Sequence, residues 1–312
     1  MDLNTVVEIR DARHASPWRP GDAWLAGGTH LFSEPQPHLR RLHDLSRTGW
    51  EPLRHLPDGS LEIAATCTIA RLSRFGRSLD PAAHPAAPLI EQCCRAFLAS
   101  FKVWNVATVG GNLCNALPAG PMISLTAALD GVCLLLDQAG GQRGSRVADF
   151  VTGAGLNDLA EGELLRAVTL PPRALSARTA FRQASLYALG RSGVLLVGTE
   201  EPPDPADRAE RADRAERAER AARTDHTGRT HRTWALTVTA STVRPFRLAF
   251  AGPPSADRLR AALDAAIGDG DWFDDIHGLP AWRRHMTYRL AEEIRAELAA
   301  RPGGDATEAG AR

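Results

Sequence analysis

The run Ala107-Thr-Val-Gly-Gly-Asn-Leu-Cys-Asn-Ala-Leu-Pro-Ala-Gly120 joins an apolar segment, Val103 to Val109, to paired glycines and an amide side chain. That order predicts a strand running into a tight loop. A shorter version stands earlier, where Ala23 to Leu25 lead into Ala26-Gly27-Gly28-Thr29-His30. Glycines let a main chain approach a ligand and adopt positive φ, so that successive N–H groups converge on an anion. Thr29, Thr108 and Asn112 can add side-chain donors to the same oxygens. Two such loops together suit the diphosphate of a dinucleotide cofactor. Neither is the Gly-x-Gly-x-x-Gly turn of a strand–helix dinucleotide site, and no Gly-x-x-x-x-Gly-Lys-Ser/Thr loop occurs.

Outward from these loops, Leu61 to Thr66 predicts a strand and Ile90 to Ser100 a helix. Met122 to Leu129 predicts a helix that Gly131 can stop, followed by a buried strand over Val132 to Asp137. Gly162 to Leu170 predicts a turn and strand closed by Pro171-Pro172, where the main domain boundary is placed. A second unit follows, with strands at Thr179 to Ser185, Gly193 to Gly198 and Trp234 to Ala240, then helices at Ala256–Ile267 and Trp282–Leu298. Small α and β pieces without a long βαβ rhythm predict an α+β fold.

Between those strands, Asp207 to Arg223 repeats Arg-Ala-Glu or Arg-Ala-Asp triplets, each acid four positions before an arginine, as in Asp207/Arg211. This spacing favours a solvated helix but offers no apolar face to dock. The composition predicts a surface insertion, frayed or disordered, with a partner-binding helix as the alternative.

Composition narrows the function. The 312 residues hold 37 Lys+Arg and 37 Asp+Glu, a formal net charge of +0. Such a balance provides no field to steer nucleic acid or anionic membrane. No basic region followed by an apolar stretch opens the chain, and Val132 to Leu136 is too short to span a bilayer, so a soluble, cytoplasmic protein is expected. The five cysteines form no Cys-x-x-Cys pair and lack iron–sulfur spacing, so any cluster is expected on another chain. Cys93 and Cys94 are expected to be buried packing residues.

Leu25-Ala-Gly-Gly-Thr-His-Leu31 resembles the first flavin loop of the FAD-binding medium subunit in the xanthine dehydrogenase and carbon monoxide dehydrogenase family of molybdenum hydroxylases, and Ala107 to Gly120 closely resembles the second. Ile63 to Thr68, Gly162 to Pro171, and Asp274 to Gly278 with Trp282 to His285 are similar to further family segments. The resemblance implies an α+β, PCMH-type FAD-binding fold of two subdomains over residues 1–172. It also implies a small α+β C-terminal domain, like that of the carbon monoxide dehydrogenase flavoprotein, over 173–300. The charged insertion is expected to occupy 201–232 of it, and a disordered tail is expected over 301–312.

Carried over residue by residue, Ala26, Gly27, Gly28, Thr29 and His30, together with Thr108, Val109, Gly110, Gly111 and Asn112, would hold the pyrophosphate and ribityl part of a noncovalent FAD. Leu165 would pack on the flavin. Arg182 stands where the family has Lys near the flavin, keeping the charge without the compact ammonium. The family usually has Asp at Pro121, Ser at Leu117, Arg at Trp104 and Asp at His30, and each departure removes or changes a polar contact.

The resemblance further implies an oxidoreductase subunit that takes electrons from a small [2Fe–2S] partner and passes them through FAD to NAD⁺, oxygen or a quinone. A large molybdopterin partner would oxidise the substrate, and no catalytic acid or base is assigned to this chain. A free-standing FAD-dependent oxidase or reductase, and a degenerate flavin-less scaffold, are the alternatives. The first would turn over alone and the second would be colourless.

Overall fold

A computed structural model describes residues 3–14, 16–202 and 232–300. The expectations for the charged repeat and for the C-terminal tail fall on residues outside this set. Three strands near the N-terminus, β1 (Glu8–Asp11), β2 (Asp22–Leu25) and β3 (Arg41–Asp44), form a parallel sheet ordered β1-β3-β2. The register pairs Leu25 with Asp44, so the Ala26–His30 segment leaves the sheet at the carboxyl end of β2.

The second sheet is antiparallel and five-stranded, ordered β4-β5-β10-β6-β7. Its strands are β4 (Leu53–His55), β5 (Leu61–Ala64), β6 (Val132–Leu136), β7 (Gln142–Arg146) and β10 (Leu164–Leu170). The short pair β8 (Val151–Gly153) and β9 (Leu156–Asn157) follows the one-turn helix α6 (Val147–Phe150). Between β5 and β6 run α1 (Ile69–Ser78), α2 (Ala87–Ala96), α3 (Phe101–Trp104), α4 (Val109–Asn115) and α5 (Pro121–Ala128).

Local chemistry explains these elements. Thr68 caps α1 by accepting the Arg71 N–H, and Ile69, Leu72, Ser73 and Gly76 form its buried face. Gly76 lets α2 approach, since a Cβ there would lie 2.8 Å from Ile90 Cγ2. Helix α2 begins earlier than the hydrophobic spacing predicts, with Pro88 in its first turn, and stops at Ala96 rather than Ser100. Helix α5 is buried over its whole length, as suits a helix with no charged residue and apolar side chains on every face. Its two hydroxyls are satisfied: Thr126 donates to the Met122 carbonyl, and Ser124 shares a 2.6 Å hydrogen bond with Thr239.

The C-terminal unit is an antiparallel meander of β11 (Arg178–Ala184), β12 (Val194–Glu201), β13 (Thr233–Thr239) and β14 (Phe246–Phe250). Helices α7 (Ala256–Ala266) and α8 (Pro280–Ala299) cover one face. Glu201 pairs with Thr233, so the charged insertion leaves and re-enters at adjacent strand ends. Every residue of β12 is buried. Val194 and Leu196 join the core under α8, whereas Leu195 and Val197 join the core that contains α2 and α5. The expected boundary at Pro171-Pro172 therefore marks a change of sheet but not a break in the packed interior.

Candidate cofactor-binding site

The first glycine loop follows β2 as an open turn. Phe32 N donates to the Gly28 carbonyl and Ser33 N to that of His30. The N–H groups of Gly27, Gly28, Thr29 and His30 donate to no protein acceptor among the described residues. Gly28 has φ +69°, and a Cβ there would strike the Phe32 ring at 2.7 Å. Thr29 and His30 are exposed.

The second segment differs from the strand-and-loop expectation. Val103 belongs to the single turn α3, Thr108 makes an isolated antiparallel bridge with Thr68, and Gly110 and Gly111 lie inside the first turn of α4. The Thr108 hydroxyl caps that helix, accepting from Gly111 N at 3.0 Å. Val109 N donates to the Cys67 carbonyl, Gly110 N to that of Ala65 and Asn112 N to that of Thr108. All four N–H groups thus have partners within the fold: the Thr108 cap satisfies Gly111, the carbonyls of Cys67 and Ala65 satisfy Val109 and Gly110, and Asn112 makes the first bond of the helix. Gly110 also allows the close contact of α4 with the end of β5: a Cβ there would lie 2.4 Å from Ala65 Cβ.

Asn112 is the exception in this segment. Its Oδ1 accepts the Met122 N–H at 3.0 Å, at the start of α5 where Pro121 has no N–H to offer. Because a backbone N–H can only donate, the orientation of the amide is fixed, and Nδ2 remains as a donor without a protein acceptor among the described residues.

The first loop packs at Gly27 against the chain that leads into the second segment. A Cβ there would fall 2.0 Å from the Val106 carbonyl oxygen and 3.2 Å from Ala107 Cα. Gly27 thus packs on the main chain immediately ahead of the Thr108–Asn112 segment. Leu165 and Arg182 belong to other elements, β10 and β11. Leu165 is a core residue on β10, opposite Leu135. Arg182, on β11, donates to Glu293 at 3.1 Å and Glu297 at 2.6 Å on α8, and to no residue of either loop. The departures at 104 and 121 have structural partners of their own: the Trp104 indole donates to the Phe97 carbonyl, and Pro121 is the buried first residue of α5.

Beneath the first loop lies a buried ionic cluster that the sequence pattern gives no sign of. Asp22, the first residue of β2, accepts from Arg41 Nε at 2.8 Å, from Arg41 Nη2, from the Arg19 N–H and from His43 Nε2 at 3.0 Å. Burial opposes ionisation of this carboxyl, but the donors from Arg41, His43 and Arg19 outweigh it and hold the group well below the usual carboxylate range. Trp18 stacks on His43, and Trp24 tilts against both rings. The Trp24 indole N–H reaches across to the Glu163 carbonyl at 2.9 Å, a partner 139 positions away.

Burial pushes the thiols of Cys67, Cys94 and Cys114 up to about 12. No group of three His, Cys, Asp or Glu among the described residues could hold a metal ion, and no helix among them is long and apolar enough to cross a membrane.

A model of the family described as "FAD binding domain in molybdopterin dehydrogenase" matches residues 5–173. The xanthine dehydrogenase FAD-binding subunit of Escherichia coli O157:H7 is 30% identical over 174 residues, covering 53% of this chain and 56% of that protein. The match therefore spans about half the length of this curated relative. Among solved structures, reconstituted carbon monoxide dehydrogenase from Oligotropha carboxidovorans aligns with a TM-score of 0.70 at 18% identity, covering 95% of this chain and 99% of that one. Quinoline 2-oxidoreductase from Pseudomonas putida 86 aligns with a TM-score of 0.68 at 19% identity, covering 96% and 98%. At such identities these two likenesses establish the shared α+β fold, and they extend it through the C-terminal unit. With the family model matching more than half of its length, the chain belongs to the FAD-binding domain family of the molybdopterin dehydrogenases.

Proposed function

We propose that this chain is the FAD-binding electron-transfer subunit of a molybdenum-hydroxylase-type dehydrogenase. Its partners are a small [2Fe–2S] subunit and a large molybdopterin subunit. The reading is supported by the packing of Gly27 on Val106, just ahead of the second glycine segment, and by the four first-loop N–H groups without a protein acceptor among the described residues. That donor set fits a diphosphate: main-chain N–H groups, the Thr29 hydroxyl and the Asn112 Nδ2 can all point to anionic oxygens.

Ala26 to His30 bind and orient the diphosphate, and Thr108 to Asn112 shape the opposite wall, with Asn112 as the donor. Leu165 supports that wall from the core. Arg182, neutralised by Glu293 and Glu297, fixes β11 to α8. When bound, FAD supplies the electron-transfer chemistry, accepting electrons from the iron–sulfur partner and delivering them to NAD⁺, oxygen or a quinone. The protein holds no proton-transfer group in this scheme. Five free cysteines suit a reducing compartment, and we assign the chain to the cytoplasm.

The test is an absorption spectrum of the purified chain with acid release of any flavin, followed by capture of partners. Noncovalent FAD near one per chain, with iron–sulfur and molybdenum partners co-purifying, is the expected result. A chain that takes up no added FAD overturns the proposal. Substrate turnover by the isolated chain would overturn the electron-transfer role.

A further inference from the structure

The three-stranded sheet that carries the first glycine loop touches the rest of the molecule at few points. Among the described residues, the hydrogen bond from Trp24 Nε1 to the Glu163 carbonyl is the one in which a residue of β1, β2 or β3 engages a residue beyond position 50. Trp24 lies just ahead of the loop, and Glu163 is the residue before β10.

The acceptor is unusually well fixed. Arg143 on β7 holds the Glu163 carboxylate through Nε at 2.8 Å and Nη2 at 2.6 Å, and Asp158 Oδ2 through Nη1 at 2.6 Å. The Glu163 carboxylate also accepts the Ala160 N–H, and Gln138 donates to the Gly162 carbonyl. Gly162 is at φ +78°, and a Cβ there would lie 3.2 Å from the Trp18 ring. The 158–163 turn is therefore a rigid peg, gripped by the five-stranded sheet on one side and seated against Trp18 and Trp24 on the other.

We propose that Trp24 is a positioning residue for FAD: with Arg143 and the 158–163 turn, it sets the distance between the two glycine segments. The inference rests on the FAD-binding reading above. Trp24 has no contact with the cofactor in this scheme. It acts on where the Gly27 to His30 N–H groups stand relative to Asn112.

The test titrates FAD into full-length apoprotein by flavin fluorescence and follows the thermal unfolding of the same apoproteins. Trp24→Phe keeps the ring packing and removes the donor. Arg143→Gln releases the acceptor turn. Each is expected to raise the Kd for FAD about tenfold, the upper range of one lost neutral hydrogen bond. The double variant is expected to bind FAD no more weakly than either single variant, because both break the same strut. A role confined to stability would lower the apoprotein melting temperature and leave the Kd unchanged, which overturns the inference. Additive Kd effects in the double variant also overturn it, since the two residues would then act separately. If wild-type apoprotein takes up no FAD, the FAD-binding proposal itself falls. Wild-type uptake with an unchanged Kd in Trp24→Phe sinks only the positioning role.

Discussion

The main chain at Gly27 rests directly on the carbonyl of Val106, with the Cβ position of any other residue only 2.0 Å from that oxygen. Backbone cannot yield there as a flexible side chain could. Gly27→Ala should therefore push the two segments apart, at a stability cost of about 1–3 kcal/mol, typical of overpacking. FAD affinity should fall at least as far as the spacing is disturbed. Gly270→Ala is the control, since its Cβ would meet open space. Equal Kd values for both variants, by fluorescence titration, would mean that this contact does not shape the site.

The Asn112 amide accepts the Met122 N–H through Oδ1, and in the proposed site its Nδ2 is the donor to the diphosphate. Asn112→Asp keeps an oxygen on the Met122 N–H but replaces the free donor with a negative charge. Its melting temperature should stay near wild type while FAD binding drops sharply. Asn112→Ala should lose about 1 kcal/mol of stability, in the range of a lost helix-start acceptor, together with affinity. Paired calorimetry and titration separate the two effects.

Asp22 stays ionised in the folded chain to a lower pH than it would unfolded, because Arg41, His43 and the Arg19 N–H favour its carboxylate. Its contribution is complete at neutral pH and is lost as pH falls below about 4, the ordinary Asp range, towards the depressed folded value. Asp22→Asn should cost about 3 kcal/mol at pH 7, as expected when one member of a buried ion pair is removed. The variant should also lose stability less steeply between pH 4 and pH 2. Urea unfolding at a series of pH values measures both.

Cys67, Cys93 and Cys94 are wholly buried, and burial raises all three thiols. Only a thiolate reacts rapidly with a disulfide reagent. In native protein at pH 8 these three should resist labelling and become reactive on unfolding. Fast labelling of any of them, located by peptide mapping, would show local opening of the α1–α2 core.

Much of the architecture is visible in the residue pattern because period and punctuation agree. Val132 to Leu136, Val194 to Glu201 and Thr233 to Thr239 are strands because unbroken apolar or alternating runs stand between turn residues. Helix α1 is not anticipated: Ser73 and Gly76 interrupt its buried face, leaving Ile69 and Leu72 as its large apolar side chains, and its Thr68 cap is recognisable only with the fold in hand. The segment leading into Gly110-Gly111 looks extended because Val103, Val106 and Val109 are β-branched. The tertiary bonds from Val109 and Gly110 to Cys67 and Ala65 override that propensity. The two glycine motifs are legible in the sequence, but which of their N–H groups remain free is not, since Gly110 and Val109 find their acceptors on Ala65 and Cys67, just past β5. Nor does any local signal join Trp24 to Glu163, or Asp22 to Arg41 and His43, because these partners meet only when separate strands align.

The double-sided burial of β12 bears on how such a protein could be cut or recombined. The family match ends at residue 173, yet Leu195, Val197 and Ala240 fill the interior beside α2 and α5. A fragment ending at the family border would leave the apolar side of α5 bare, a sticky surface prone to self-association. The border drawn by sequence similarity and the edge of the packed interior fall at different places in the chain.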